Sequence, residues 1–80
     1  LKVVPIDRRG VVDFDAYRGL LGPRTRIAAF AHVSNALGTV LPVAQFVAAA
    51  RERGIVTVVD GAQAVPHLPV DVQALDCDFY

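Results

Sequence analysis

Apolar runs at Val3–Ile6, Ile27–Phe30 and Ile55–Val59 alternate with stretches of helical spacing, which is the rhythm of an α/β fold. The first run is expected to be a strand over Val3 to Ile6, turning at Asp7-Arg8-Arg9-Gly10 into a short extended Val11-Val12. Asp13 is placed to cap a helix over Phe14 to Leu21, with Gly22 as a left-handed stop and Pro23 blocking continuation. Arg26 to Ala31 reads as a second, buried strand, and His32 to Thr39 as a polar loop at its carboxyl end.

Pro42 suits the first turn of a helix in which Val43, Phe46, Val47 and Ala50 recur at i, i+3, i+4 and i+7. Leu41 is a poor N-cap, which leaves that boundary open. Arg51 and Arg53 complement the dipole at the helix end, and Gly54 terminates it. Ile55 to Val59 follows at once as a third strand, giving a β-loop-α-β unit expected to be parallel and right-handed. The loop carrying Asn35 and the loop carrying Asp60 to Gln63 therefore share one edge. Beyond them Pro66 and Pro69 forbid a long helix, Asp71 can cap a single turn over Val72 to Ala74, and a last strand is expected from about Asp76.

Composition narrows the function classes. With 80 residues and 54% hydrophobic content, the chain is short for its apolar load, because an independent domain of this size buries only about two-thirds of its unfolded surface. Its apolar ends are those expected of a fragment, residues 1–80, cut from the middle of a larger domain and unstable in isolation. A formal net charge of +0 offers no basic face for nucleic acid. No run approaches the roughly 18 apolar residues of a membrane span, so a cytoplasmic protein is the expectation. Cys77 is the single cysteine, fitting a reduced compartment or a small buried hydrophobe.

Candidate chemistry centres on Asp60, which ends an apolar strand and opens the tetrad Asp60-Gly61-Ala62-Gln63. A carboxylate delivered there is aimed at the carboxyl edge of the sheet, where open α/β folds bind ligands. It calls for a cationic partner, such as a metal, a protein side chain or a protonated heterocycle, unless it caps the following turn. Gly61 permits close backbone approach, and Gln63 would return its amide over the same edge if Ala62 to Ala64 make a helical turn. Strand-then-Asp is also the pattern of the magnesium-binding acid in phosphate-binding ATPases, although no Gly-x-x-x-x-Gly-Lys loop occurs in the chain.

Three motifs together carry a resemblance: His32-Val33-Ser34-Asn35-Ala36-Leu37-Gly38-Thr39, Val58-Val59-Asp60-Gly61-Ala62-Gln63-Ala64, and His67 through Asp76-Cys77-Asp78-Phe79-Tyr80. Across essentially its whole length the chain resembles the SufS-type cysteine desulfurases, class V aminotransferase-fold enzymes dependent on pyridoxal phosphate. The resemblance implies a fragment of the mainly parallel sheet of a fold-type I pyridoxal-phosphate large domain. It implies an enzyme that converts L-cysteine to L-alanine, leaves the sulfur as an enzyme persulfide, works as a homodimer and supplies an acceptor protein of iron–sulfur cluster assembly. Selenocysteine lyase and other class V enzymes share the same scaffold, and a folded, inactive interaction module is a further alternative.

On this resemblance Asp60 matches the carboxylate that pairs with the cofactor's pyridine nitrogen. Gln63 matches the hydrogen-bond partner of its phenolic oxygen, Ala62 the small residue against one ring face, and Asn35 the amide that orients the substrate carboxylate. No metal ligand is implied. His32 and His67 are assigned structural roles, and Cys77 does not match the sulfur-accepting cysteine. The only lysine is Lys2, whereas the family's Schiff-base lysine lies in a Ser-Gly-His-Lys motif a few residues past the position of Tyr80. No catalytic residue is therefore expected in this segment, and the segment alone is expected to be inactive.

Overall fold

The structure, a computed structural model, describes residues 1–80 as α1 (Phe14–Leu20), β1 (Ile27–Ala31), α2 (Val43–Arg51), β2 (Val56–Asp60) and α3 (Val72–Leu75). The two strands pair in parallel with Ile27 opposite Val56 and Ala31 opposite Asp60. The sheet is extended by an isolated parallel bridge between Val58 and Phe79, in which the Phe79 N–H donates to the Thr57 carbonyl and the Val59 N–H to the Phe79 carbonyl. The expected last strand is thus present only as this bridge. Asp76 precedes it in the left-handed conformation as the C-cap of α3, so chain that was expected to be extended is still closing a helical turn.

Side-chain alternation gives this sheet two different faces. Ala28, Thr57 and Val59 point inward at 7%, 0% and 2% exposure, while Ile27, Val56, Val58 and Phe79 stand on the opposite face, exposed. The second strand was expected to be buried. Only one face is covered, because both α1 and α2 lie on the same side and nothing in the chain reaches the other.

The covered face is filled mainly by α2. Its Val43, Phe46, Val47 and Ala50 form the stripe expected from their spacing, and all are buried. Phe46 sits 4.6 Å from Tyr17, 5.0 Å from Phe14 and 5.6 Å from Phe30, measured between ring centroids, so one side chain joins both helices to β1. The buried Tyr17 hydroxyl donates to the Phe46 carbonyl at 3.0 Å, which satisfies the one polar group that the aromatic cluster takes from water. Pro42 is the N-cap of α2 and makes no side-chain capping bond; its ring is pre-set for the helix, which resolves the boundary left open at Leu41.

Several boundaries differ from expectation for local reasons. Val3 to Ile6 is not a strand: Val3 is 80% exposed, and the only pairing is the antiparallel bridge between Ile6 and Val12. A β-branched run becomes a strand only against a partner, and Pro5 has no N–H to offer one. Asp13 caps α1 as expected, its carboxylate accepting from the Ala16 N–H, but the helix ends at Leu20 and Gly22 does not take the left-handed conformation. The last carbonyls of α1 are satisfied from elsewhere. Arg53 donates to the carbonyls of Arg18 and Leu21, so it serves this helix as well as sitting at the end of its own. Arg51 pairs with Asp76 at 3.0 Å, tying the end of α2 to the end of α3. Gly54, at φ 65, makes the left-handed stop expected of it.

The C-terminal segment is fastened to the sheet by a reciprocal pair. The Thr57 N–H and hydroxyl both donate to Asp78 Oδ2, at 2.8 and 2.9 Å, and the Asp78 N–H donates to the Thr57 hydroxyl at 3.0 Å. These bonds favour the ionised carboxylate, with the Thr57 backbone N–H the largest cause, and hold Asp78 below the ordinary carboxylate value of 3.8. A lowered folded value contributes stability that is fully present above 3.8 and is lost as the pH falls through the folded value. Asp78→Asn is accordingly expected to flatten the acid side of the stability profile in the full-length protein, in the window beginning near pH 3.8 and extending below it. Denaturant unfolding of both proteins across that range checks this, and parallel profiles would contradict it.

Candidate functional site

Parallel pairing brings the carboxyl ends of β1 and β2 level, since Ala31 and Asp60 are register partners. The ladder continues one step further, with the His32 N–H donating to the Asp60 carbonyl at 2.8 Å. On the other side of β2, the bridge through Phe79 carries Tyr80 to the same edge. Three chain segments therefore meet there, and they bring His32, the Asp60-Gly61 turn and Tyr80 together.

Asp60 belongs to the open face, in line with Val56 and Val58, and its side chain is exposed. One oxygen, Oδ1, accepts from the Ala62 N–H at 2.9 Å, which is the capping role weighed against a ligand role from sequence. That bond occupies one lone pair and leaves Oδ2 available. The ion pairs of the chain join Arg9 to Asp7 and Arg51 to Asp76, so Asp60 is left without a cationic side chain. Its carboxylate is oriented and electrostatically unclaimed.

Ala62 and Gln63 follow in a compact double turn rather than a helix. The N–H groups of Ala64 and Val65 donate to the Gly61 carbonyl, and those of His67 and Leu68 to the Ala64 carbonyl. Ala64, at 0% exposure, anchors this turn in the protein, while Ala62 and Gln63 stay exposed beside Asp60. The Gln63 carbonyl accepts from His67 Nδ1 at 2.8 Å, giving His67 the structural role expected of it. Asn35 lies at the exposed tip of the loop after β1, which is closed by the Val33 to Val40 bridge and by the Ser34 N–H donating to the Thr39 carbonyl. It shares the edge but makes no hydrogen bond to Asp60 or Gln63.

Sequence reasoning missed Tyr80 and set His32 aside. Their side chains meet: the Tyr80 hydroxyl lies 2.9 Å from His32 Nδ1, with the two rings perpendicular. The Tyr80 ring also covers Gly61 so closely that a Cβ built there would fall well inside van der Waals distance of three of its atoms. Burial foremost, then electrostatic interaction with Cys77 and Asp60, pushes the Tyr80 hydroxyl above the ordinary phenol value of 10.0, so it keeps its proton. A signal for His32 was present, because it follows β1 as Gly61 follows β2. Beside these residues a shallow cleft of about 320 Å³ is lined by Val59, Asp60, Gly61, Ala62, Val65 and Tyr80. A second depression, lined by Arg51, Gly54, Ile55, Val56 and Asp78, lies at the amino end of β2, away from this group.

A parallel α/β unit that brings a carboxylate to its carboxyl edge has the arrangement at which open-sheet proteins bind their ligands. The chain belongs to the class-V aminotransferase family, which it matches over residues 1–80. It is 52% identical over 80 residues to a cysteine desulfurase of Cronobacter sakazakii and 51% identical to one of Synechococcus elongatus, in each case over 100% of this chain. It covers 20% and 13% of those proteins. The crystal structure of the cysteine desulfurase CsdA (S-sulfonic acid) from Escherichia coli matches 95% of this chain and 19% of its own with a TM-score of 0.87 at 38% identity. The chain thus spans between about an eighth and a fifth of the length of such relatives. The expected α/β class with parallel strands holds, and family membership sets aside the ATPase alternative for Asp60. No helix of the chain is long and apolar enough to cross a membrane.

The packing of Tyr80 on Gly61 generates a direct test. Gly61→Ala in the full-length protein is expected to destabilise it by about 1–3 kcal/mol, because the added methyl overpacks a filled site. Thermal unfolding measures the loss. In a Tyr80→Ala background the same substitution should cost far less, and equal costs in both backgrounds would show that the ring is not what excludes a side chain at Gly61.

Proposed function

We propose that this chain forms part of the cofactor-binding large domain of a pyridoxal-phosphate-dependent cysteine desulfurase. The intact enzyme converts L-cysteine to L-alanine, retains the sulfur as a persulfide on one of its own cysteines, and passes it to an acceptor protein for iron–sulfur cluster assembly. It works as a cytoplasmic homodimer. The similarity to cysteine desulfurases along the whole chain supports the reaction, and the Asp60 carboxylate carries the assignment of the site.

Pyridoxal phosphate fits the residues at this edge. The group that suits an oriented, exposed carboxylate with no cation of its own is a protonated ring nitrogen, and Asp60 has one oxygen fixed by the Ala62 N–H and one free. Asp60 would keep that nitrogen protonated, since an adjacent negative charge favours the cationic form. Ala62 contributes only a methyl group, which leaves room for a flat ring. Gln63, exposed on the same turn, would donate from its amide to the phenolic oxygen. Asn35, on the neighbouring loop, would hold the substrate carboxylate by hydrogen bonds and so fix which Cα bond faces the reacting centre. Bound at this edge, pyridoxal phosphate supplies the electron sink for charge developing at the substrate Cα.

These roles separate experimentally. Asp60→Asn in the full-length enzyme is expected to retain the cofactor while lowering kcat by at least about 100-fold, the usual scale for losing a preorganised electrostatic contact. Near-normal cysteine turnover would remove Asp60 from the mechanism.

Gln63→Ala is expected to move the absorption band of the bound cofactor with little change in cysteine affinity. Asn35→Ala should do the reverse, weakening cysteine binding by roughly 1–3 kcal/mol through an underpaired carboxylate. If both variants perturb spectrum and binding alike, the two loops do not serve one cofactor.

A further inference from the structure

The contacts around Asp60 close into a ring. The His32 N–H holds the Asp60 carbonyl at 2.8 Å, Asp60 leads covalently into Gly61, the Tyr80 ring lies against Gly61, and the Tyr80 hydroxyl returns to His32 Nδ1 at 2.9 Å. The links join the three segments that meet at the carboxyl edge, and together they enclose the Asp60–Gly61 peptide unit next to the Asp60 side chain. We propose that Tyr80 and His32 are positioning residues for Asp60, a clamp that fixes the height and direction of its carboxylate toward the cofactor's ring nitrogen. The proposal rests on the reading of Asp60 given above.

Physical chemistry favours a clamp at this point. Asp60 and its turn lie at the open edge, where the loop backbone is otherwise held by short-range turn bonds, and the carboxylate's only side-chain bond is to its own turn at Ala62. A turn that moves as a body carries such a local bond with it. The Tyr80–His32 link instead references the turn to β1 and to the segment paired with β2. Preorganised charge acts in catalysis only if it need not be reoriented during the reaction, and displacement of a supporting group by about 1 Å is enough to weaken it. Between a phenol and a neutral imidazole the phenol is the better donor and the ring nitrogen the better acceptor. In the clamp the Tyr80 O–H would donate to Nδ1, placing the imidazole proton of His32 on Nε2.

Tyr80→Phe keeps the ring on Gly61 and removes only the hydroxyl. In the full-length enzyme freed of cofactor, imidazole nitrogen NMR should show His32 as the Nε2–H tautomer with Nδ1 accepting a hydrogen bond, a signature that Tyr80→Phe abolishes. With the cofactor restored, Tyr80→Phe should lower kcat by roughly three- to tenfold, the worth of one net hydrogen bond, while the cofactor stays bound as it does in Asp60→Asn. The decisive measurement is the double-mutant cycle with Asp60→Asn. If Tyr80 acts through Asp60, adding Tyr80→Phe to Asp60→Asn should produce little further loss of kcat. Additive losses, a silent Tyr80→Phe, or an unaltered His32 signature would overturn the clamp while leaving the role of Asp60 intact. A silent Asp60→Asn would instead overturn the site assignment on which the clamp rests.

Discussion

The parallel register between β1 and β2 is the constraint on which the rest of the molecule depends. With Ala31 opposite Asp60, the period-two alternation sends Thr57 and Val59 into the core and leaves Asp60 on the open face at the very end of the strand. A slip by one residue would exchange these roles, burying a carboxylate and exposing Val59. That alternative is excluded energetically, because an unpaired charge in the aromatic core around Phe46 would cost several kcal/mol. The location of the site is thus a by-product of what the core accepts.

Much of this was legible from sequence because it depended on local chemistry. Asp13 and Asp71 cap their helices through their own carboxylates, Gly54 stops α2, and the buried stripe of α2 follows from its spacing. Features that required distant partners were not legible. Val3 to Ile6 had the composition of a strand but found no neighbour beyond Val12, and Arg53 caps a helix more than thirty positions away. The even burial expected for Ile27 to Phe30 failed for the same reason, since an apolar run does not disclose how many faces of a sheet will be covered.

The candidate site divides along the same line. Asp60, Ala62 and Gln63 sit on one short turn, so their proximity followed from their spacing. Tyr80 could be placed beside His32 only once the Val58 to Phe79 bridge was known, because forty-eight positions separate the pair. Gly61 illustrates the limit well. Its need for a bare backbone was expected on general grounds, but the surface that presses against it belongs to Tyr80, which the bridge through Phe79 brings back beside it.

The amino edge of the sheet has a different character. There the fasteners use charged side chains: Arg51 to Asp76, Asp78 to the buried Thr57, and Arg53 to the end of α1. None of them touches the turn at Asp60. Natural variation can therefore adjust the strength of these fasteners, adding or removing ionic contacts to suit a hotter, saltier or more acidic habitat, without altering the atoms that face a ligand. Lineages adapting to new conditions would be expected to accumulate changes at one end of this sheet while the other end stays as it is.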